Sequence, residues 1–260
     1  MQTGFFFDID GTLYQNRFHE VSDGTIDALR QLHQQGYPLY IATSRSIHEL
    51  KNLPRALYNF PFRGWILEGG SLLLDEEHEP VYSKTLNADQ VQIIKDFCHE
   101  NYLTWRYSTL HGNYWGEKPT LDQRYLMNRL YLNCAVEQEW TRDCEESFNV
   151  LVWMNQGPKM EELMNKLSGC SFVCYPACLE IRQQGGSKEQ GVQFFKDRYG
   201  LDQVICFGDG PNDASMLEQA DIGIAMGNAS QPAKEAADLV TKSIEEDGIA
   251  YILKEKGWIQ

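Results

Sequence analysis

At 260 residues the chain is long enough for one large hydrophobic core and a second, smaller one, and its 42% hydrophobic and 23% charged residues, free of low-complexity tracts, exclude a disordered or fibrous protein. With 37 acidic against 23 basic residues the net charge is −14, which excludes general binding to nucleic-acid backbones or anionic membrane surfaces, since both rely on clustered Lys and Arg. An enzyme of this charge that acts on anions must gather positive charge locally, from a metal ion, a lysine or helix N-termini.

Along the chain, the N-terminus runs from Met1 into Phe5-Phe6-Phe7-Asp8 without a basic leader, and no later segment reaches the roughly 20 apolar residues of a membrane span. A cytoplasmic protein is expected. Gly4 to Ile9 reads as a buried strand. Asp23 is placed to cap a helix carrying Ile26, Leu29 and Leu32, which Gly36 ends before a second strand from Pro38 to Thr43. A helix from Ser46 to Leu57, a strand at Trp65 to Leu67 and a hairpin of Leu72–Leu74 with Val81-Tyr82 continue the pattern. This alternation is that of a parallel sheet with crossover helices.

After about Ser83 the character changes to α+β. A helix begins at Asn87 and runs through Tyr102, followed by short aromatic-rich strands, a helix near Leu121 to Arg129, a strand at Phe148 to Met154 and a helix at Lys159 to Leu167. The earlier rhythm returns from Ser187, with a helix through Tyr199, a strand at Val204 to Phe207, a helix at Asp213 to Gln219 and a strand at Ile222 to Ala225. A domain inserted into another explains this order: residues 1–83 and 184–260 as the core, 84–183 as the insertion. The seven cysteines include no Cys-x-x-Cys pair, so reduced thiols are expected. Cys170, Cys174 and Cys178 would share a face only if one strand ran through them, and Pro176 opposes that.

The strongest local signal is Phe5-Phe6-Phe7-Asp8-Ile9-Asp10-Gly11-Thr12, two carboxylates one residue apart where a buried strand ends. Ligands of open parallel α/β sheets bind beyond the carboxyl ends of the strands. Taken alone, Asp10-Gly11 reads equally well as a turn. A second acidic loop, Gly208-Asp209-Gly210-Pro211-Asn212-Asp213, also follows a buried strand, and two such loops on one sheet can converge on one Mg²⁺.

With these loops in place the chain resembles the haloacid dehalogenase superfamily, and within it the Cof-type phosphatases with a large inserted cap. Asp8-Ile9-Asp10-Gly11-Thr12, Thr43-Ser44-Arg45, Gly186-Ser187-Lys188 and Gly208-Asp209-Gly210-Pro211-Asn212-Asp213 match its four motifs in order; Ala225 to Ala229 and Glu246 to Ala250 match its C-terminal pattern. The resemblance implies a Rossmann-like, doubly wound α/β core with an α+β cap, and a Mg²⁺-dependent phosphatase acting on a small phosphorylated metabolite such as a sugar phosphate, as a monomer or homodimer.

Asp8 would then form an aspartyl-phosphate, and Asp10 would protonate the leaving alcohol and later deprotonate water. Mg²⁺ would be held by the Asp8 carboxylate, the Asp10 carbonyl and the Asp209 carboxylate. Thr43, Ser44, Lys188 and Asn212 would cradle the phosphoryl group, while Asp213 would orient Lys188 or metal-bound water, or cap the following helix. Arg45 is a candidate substrate contact or a surface ion pair, and Glu180 and Arg182 are candidates to face the catalytic cleft from the insertion. Trp105, Tyr107, Tyr114, Trp115, Tyr125, Tyr131, Trp140 and Trp153 would chiefly build the insertion's own core. Two departures stand out: Ser44 replaces the usual Gly, and Glu68-Gly69-Gly70 replaces the common Asn-Gly-Ala. A phosphohexomutase-type phosphotransferase and a non-catalytic phosphometabolite sensor remain alternatives.

Overall fold

The three consecutive phenylalanines form the middle of a sheet: β1 (Thr3–Phe7) is buried at all five positions in the computed structural model, which describes residues 2–130, 132, 134–144 and 146–260. Burial on both faces is what a near-continuous apolar run predicts for a central parallel strand. The first helix, α1 (Asp23–Gln34), buries Ile26, Leu29 and Leu32 along one stripe. Its cap is Ser22, whose hydroxyl accepts the Thr25 N–H at 3.1 Å; Asp23 is the first helical residue instead.

β2 (Leu39–Ala42) is again buried throughout. The single helix expected from Ser46 to Leu57 is two short ones, α2 (Ile47–Leu50) and α3 (Arg55–Tyr58). Pro54 explains the break, because proline lacks the N–H for an intrahelical bond and disfavours helical backbone in the residue before it. β3 (Gly64–Leu67), β4 (Leu72–Asp75) and β5 (Pro80–Ser83) complete the first stretch.

The inserted stretch contains α4 (Ala88–Asn101), β6 (Trp105–Ser108), β7 (Asn113–Trp115), α5 (Leu121–Arg129), β8 (Val136–Glu137), β9 (Asn149–Val152), α6 (Pro158–Lys166), β10 (Cys170–Tyr175) and β11 (Cys178–Gln183). The final stretch contains α7 (Lys188–Tyr199), β12 (Gln203–Gly208), α8 (Ala214–Gln219), β13 (Ile222–Ala225), α9 (Gln231–Ala236), β14 (Leu239–Val240) and α10 (Gly248–Glu255). No helix among the described residues is long and apolar enough to cross a membrane.

These elements form two compact units. One comprises Met1–Ser44, Asn52–Val81 and Ser187–Gln260; the other comprises Arg45–Lys51 and Tyr82–Gly186. The first is built on an eight-stranded sheet in the order β14-β13-β12-β1-β2-β3-β4-β5. Pairing is parallel from β14 to β3 and turns antiparallel at β3–β4, so an antiparallel edge extends a parallel sheet. From β1 the chain steps to β2 and β3 on one side, and from β12 to β13 and β14 on the other. β1 and β12 therefore flank the point at which strand order reverses, where such sheets open a crevice at their carboxyl ends. Phe7 is level with Phe207 on one side and Ile41 on the other, which brings the residues following β1, β2 and β12 alongside one another.

Aromatic packing holds these strands. Phe7 stacks on Phe207 with ring centroids 4.8 Å apart, Phe6 stacks on Tyr40 at 4.4 Å, and Phe195 of α7 lies 5.2 Å from Tyr40.

The second unit has a six-stranded sheet, β10-β11-β9-β6-β7-β8. Strand alternation divides its faces. Trp105, Tyr107, Val150, Val152, Leu179 and Ile181 form one core with residues of α4 and α6, joined by Trp140. Tyr114 packs at its margin, Trp115 meets Trp153 at 4.9 Å, Tyr125 is exposed, and Tyr131 lies outside the described residues. The opposite face carries Arg106, Ser108, Asn113, Asn149, Glu180 and Arg182, none more than 6% exposed. At the β10–β11 hairpin, Cys178 pairs with Tyr175 and Cys174 with Leu179, so Cys174 and Cys178 sit on opposite faces and the even cysteine spacing produces no common thiol surface.

The Phe195 ring is fully buried between Tyr40 and Tyr199. Phe195→Ala is expected to lower the unfolding free energy by about 3–5 kcal/mol. Urea titration measures this, and a loss below about 1 kcal/mol would contradict the packing described.

Candidate active site

Asp8 is the first residue beyond β1. Its N–H donates to the Phe207 carbonyl at 2.9 Å, so its backbone continues the β1–β12 pairing while its side chain leaves the sheet, 5% exposed. The strand does not continue to Asp10. The Ile9 carbonyl accepts the N–H groups of Thr12, Leu13 and Tyr14 at 3.2, 2.9 and 2.8 Å, curling the chain into a tight turn. Gly11 makes that turn possible: it has φ +88°, and a β-carbon there would collide with the Asp209 carboxylate. Asp10 is thereby left half-buried.

The loop after β12 is organised by its own aspartate. Asp213 Oδ2 accepts the N–H groups of Asp209 at 3.0 Å and Gly210 at 2.9 Å, drawing Asp209 back over the sheet end. Asp213 Oδ1 accepts a hydrogen bond from Lys188 Nζ at 2.6 Å, and Lys188 Nζ donates equally closely, at 2.6 Å, to Asp8 Oδ1. Lys188 is 1% exposed, which excludes the reading of a solvated first-turn lysine. Its seat depends on Gly70, at φ +108°, where a β-carbon would run into the Ser187 carbonyl.

Carboxylate oxygens of Asp8, Asp209 and Asp213 all lie within 4.8 Å of one another. Lys188 acts on all three, and Asp10 lies near enough to repel Asp8 and Asp209. Burial, reinforced by Asp213, raises Asp8 well above the usual carboxylate range against the opposing pull of Lys188. Burial and Asp213 likewise push Asp209 up to about 7. Burial alone would depress Lys188, but Asp213 and Asp8 outweigh it and hold the ammonium charged.

The donor set fits a hard divalent cation. Asp213 already uses both oxygens on Lys188 and two backbone N–H groups, whereas Asp8 Oδ2 takes no hydrogen bond from a described residue. Among the described residues, the Asp209 carboxylate is held by long contacts of 3.5 Å from the Thr12 hydroxyl and the Asn228 amide. Asp8 and Asp209 are thus the carboxylates left to bind an ion, and a dipositive charge would offset most of the local excess.

Thr43 follows β2 directly and is 1% exposed; its N–H donates to Ile66 at 2.8 Å and its carbonyl accepts the Gly69 N–H at 2.9 Å. The Ser44 hydroxyl accepts the Asn212 amide at 3.2 Å, joining the turns after β2 and β12. Glu68, one of the two departures, is buried with φ +52° in the turn that holds Thr43. Arg45 and Glu180 belong to the other unit. Arg45 Nη1 donates to the Glu49 carbonyl at 3.2 Å, and Glu180 is held by Asn149 at 2.7 Å, by the Tyr175 hydroxyl at 3.1 Å and by Arg182 at 3.3 Å.

Sequence reasoning gave no role to Thr12 or Asn228. Asn228 donates to the Gly11 carbonyl at 2.9 Å and accepts the Ile244 N–H at 2.9 Å, tying the Asp10-Gly11 turn to the C-terminal region. Its signal was its place in the segment from Ala225 to Ala229.

The family model of haloacid dehalogenase-like hydrolases matches residues 5–253. A putative phosphatase of Bacillus subtilis, YkrA, is 27% identical over 98% of each chain. The 5-amino-6-(5-phospho-D-ribitylamino)uracil phosphatase YcsE of the same organism is 26% identical over 97% of this chain and 94% of its own. The solved structure of the subclass IIB sugar phosphatase BT4131 superposes over the full length of both chains with a TM-score of 0.91 at 28% identity.

The raised Asp209 predicts an inverted pH dependence in the cation-free protein. Its folded value near 7 lies above the ordinary ~3.9 of the unfolded chain, so its stabilising contribution is complete below about pH 4 and lost as pH rises through about 7. In EDTA, the melting temperature of the wild type relative to Asp209→Asn should fall between about pH 5 and about pH 8. A relative rise would contradict the assignment.

Proposed function

Because the chain belongs to the haloacid dehalogenase-like hydrolases, we propose that it is a Mg²⁺-dependent phosphatase that hydrolyses a small phosphorylated metabolite, of the sugar-phosphate class, through an aspartyl-phosphate on Asp8. The observation that carries this reading is the buried Lys188 bridge between Asp8 and Asp213, beside Asp209 and next to the turn that bears Asp10.

Lys188 fixes one oxygen of Asp8, leaving Oδ2 to attack phosphorus. As the P–O bond to the leaving group breaks, Asp10 donates its proton to the departing alkoxide. In the second step Asp10 takes a proton from water, whose oxygen attacks the phosphorus, and the Asp8 carboxylate is released with inorganic phosphate. Asp10 suits both steps because it stands off the Asp8–Lys188–Asp213 bridge, half-buried. Lys188 has three N–H donors and uses two on carboxylates, so the third serves a phosphoryl oxygen. Thr43, Ser44 and Asn212 supply the remaining donors around that group. Mg²⁺, held by Asp8, the Asp10 carbonyl and Asp209, would withdraw charge from the phosphoryl oxygens.

The net charge of −14 supports a small anion over a polyanion as substrate, since one lysine and one metal ion can balance a phosphate monoester but not an extended backbone. Full-length likeness to phosphatases named for a sugar phosphate and a phosphoribityl compound supports the same class.

Purified protein should hydrolyse an aryl phosphate with Mg²⁺, stop in EDTA and resume when Mg²⁺ is restored. Asp8→Asn should lower kcat by more than about 10³-fold. Asp10→Asn should lose about 10²- to 10⁴-fold on an alkyl phosphate but less on an aryl phosphate, whose leaving group needs no proton. Asp8→Asn turning over at the wild-type rate would sink the reading.

A further inference from the structure

The turn that bears Asp10 is held from outside as well as from within, and every residue involved belongs to the first unit. Within the turn, the Gly11 N–H donates to the Tyr14 carbonyl at 2.9 Å. The Gly11 carbonyl is taken by a side chain far away in sequence, accepting from Asn228 Nδ2 at 2.9 Å. Asn228 Oδ1 in turn accepts the Ile244 N–H at 2.9 Å, where the short 3₁₀ turn Ile244–Glu246 begins. The Ile244 carbonyl accepts Gln15 Nε2 at 3.3 Å, so the C-terminal region meets the turn on both sides of its Gly11–Tyr14 closure.

Asn228 has a fixed base from which to make these contacts. The Met226 N–H donates to the Gly208 carbonyl at 3.0 Å, the Ser230 N–H to the Asp209 carbonyl at 2.8 Å and the Gly227 N–H to the Lys242 carbonyl at 2.9 Å. The backbone on either side of Asn228 is thus bonded to the loop that carries Asp209, and its side chain spans from there to the loop that carries Asp10. An amide is the group that fits: a backbone carbonyl needs a donor, a backbone N–H needs an acceptor, and Asn offers both on one short side chain. A carboxylate would accept from Ile244 but would repel the Gly11 carbonyl and Asp209 Oδ2, which lies 3.5 Å from the amide nitrogen.

Gly11 is the reason a tether is needed. Without a β-carbon its backbone, at φ +88°, rotates more readily than that of any other residue, and rotation there redirects Asp10 relative to Thr12 and Asp209. Asn228 is exposed, so its hydrogen bonds compete with water and add little to global stability. What they supply is a fixed orientation for the Gly11 peptide. We propose that Asn228 is a positioning residue for proton transfer: by holding the Gly11 carbonyl against a frame shared with the Asp209 loop, it keeps the Asp10 carboxyl directed at the leaving oxygen. This role rests on the phosphatase reading of Asp10.

The test compares kcat with Mg²⁺ on an alkyl phosphate and on aryl phosphates of increasingly acidic leaving groups for the wild type, Asn228→Ala, Asp10→Asn and the double variant, with melting temperature and backbone hydrogen exchange recorded for each. Asn228→Ala should lose about 10- to 10²-fold on the alkyl phosphate and less than about threefold on the most activated aryl phosphate, since a misdirected proton donor matters only where the leaving oxygen needs a proton. Added to Asp10→Asn it should cost less than about twofold more on the alkyl phosphate, because the group it positions is already gone. Hydrogen exchange across residues 10–14 should quicken in Asn228→Ala while the melting temperature stays nearly unchanged. Gln231→Ala, which removes an exposed contact to Glu235 on α9, should alter none of these. An alkyl-phosphate rate equal to the wild type, equal losses on every ester, or a loss that persists in full in the Asp10→Asn background would overturn the role of Asn228 and leave the phosphatase reading intact. Wild-type protein without Mg²⁺-dependent turnover of any of these esters would overturn both.

Discussion

A single ammonium group surrounded by carboxylates is the constraint on which the first unit depends. Lys188, almost without solvent access, bridges Asp8 and Asp213 at 2.6 Å each, and a charge buried that deeply persists only when it is paired. The two aspartates follow β1 and β12, strands far apart in sequence, so the pair of contacts also records that β1, β12 and the start of α7 are correctly assembled. The glycines follow from the same constraint: Gly11 lets the first loop lie against Asp209, and Gly70 lets the turn after β3 lie against Ser187. Neither position has room for a methyl group.

The same crowding that requires Lys188 also leaves the site short of positive charge. Asp213 is consumed in holding Lys188 and its own loop, Asp10 lies on the turn after β1, and Asp8 and Asp209 retain open oxygens with raised affinity for protons. A divalent cation competes for that electron density more effectively than protons do at neutral pH. The second unit has its own division of labour. One sheet face is a conventional apolar core, while the other buries polar residues, among them Arg106 paired with Glu49 of α2, and Arg182 and Asn149 with Glu180.

The parallel sheet, its crossover helices and the insertion of an α+β segment were legible because they depend on local periodicity. Phe5 to Phe7 followed by Asp8, and Phe207 followed two residues later by Asp209, mark strand ends unmistakably. The errors also have local causes. Pro54 is a visible helix breaker set among apolar residues at helical spacing, and Ser22 stands beside an acidic neighbour although a hydroxyl caps as well as a carboxylate. Long-range facts were not legible. Nothing near Arg106, Asn149 or Glu180 says that these polar residues share a buried face, because burial there arises from pairing between strands far apart in sequence. The attachment of Arg45–Lys51 to the second unit, and the contacts that Thr12 and Asn228 make with Asp209, are invisible for the same reason.

If Asp8 is the nucleophile, as proposed, the phosphoryl group must change hands twice. The stereochemical course at phosphorus, followed with a substrate whose phosphoryl group is made chiral by oxygen isotopes or sulfur, tests this most directly. Two in-line displacements predict overall retention of configuration. Inversion would mean that water attacks the substrate in a single step and would contradict a covalent role for Asp8.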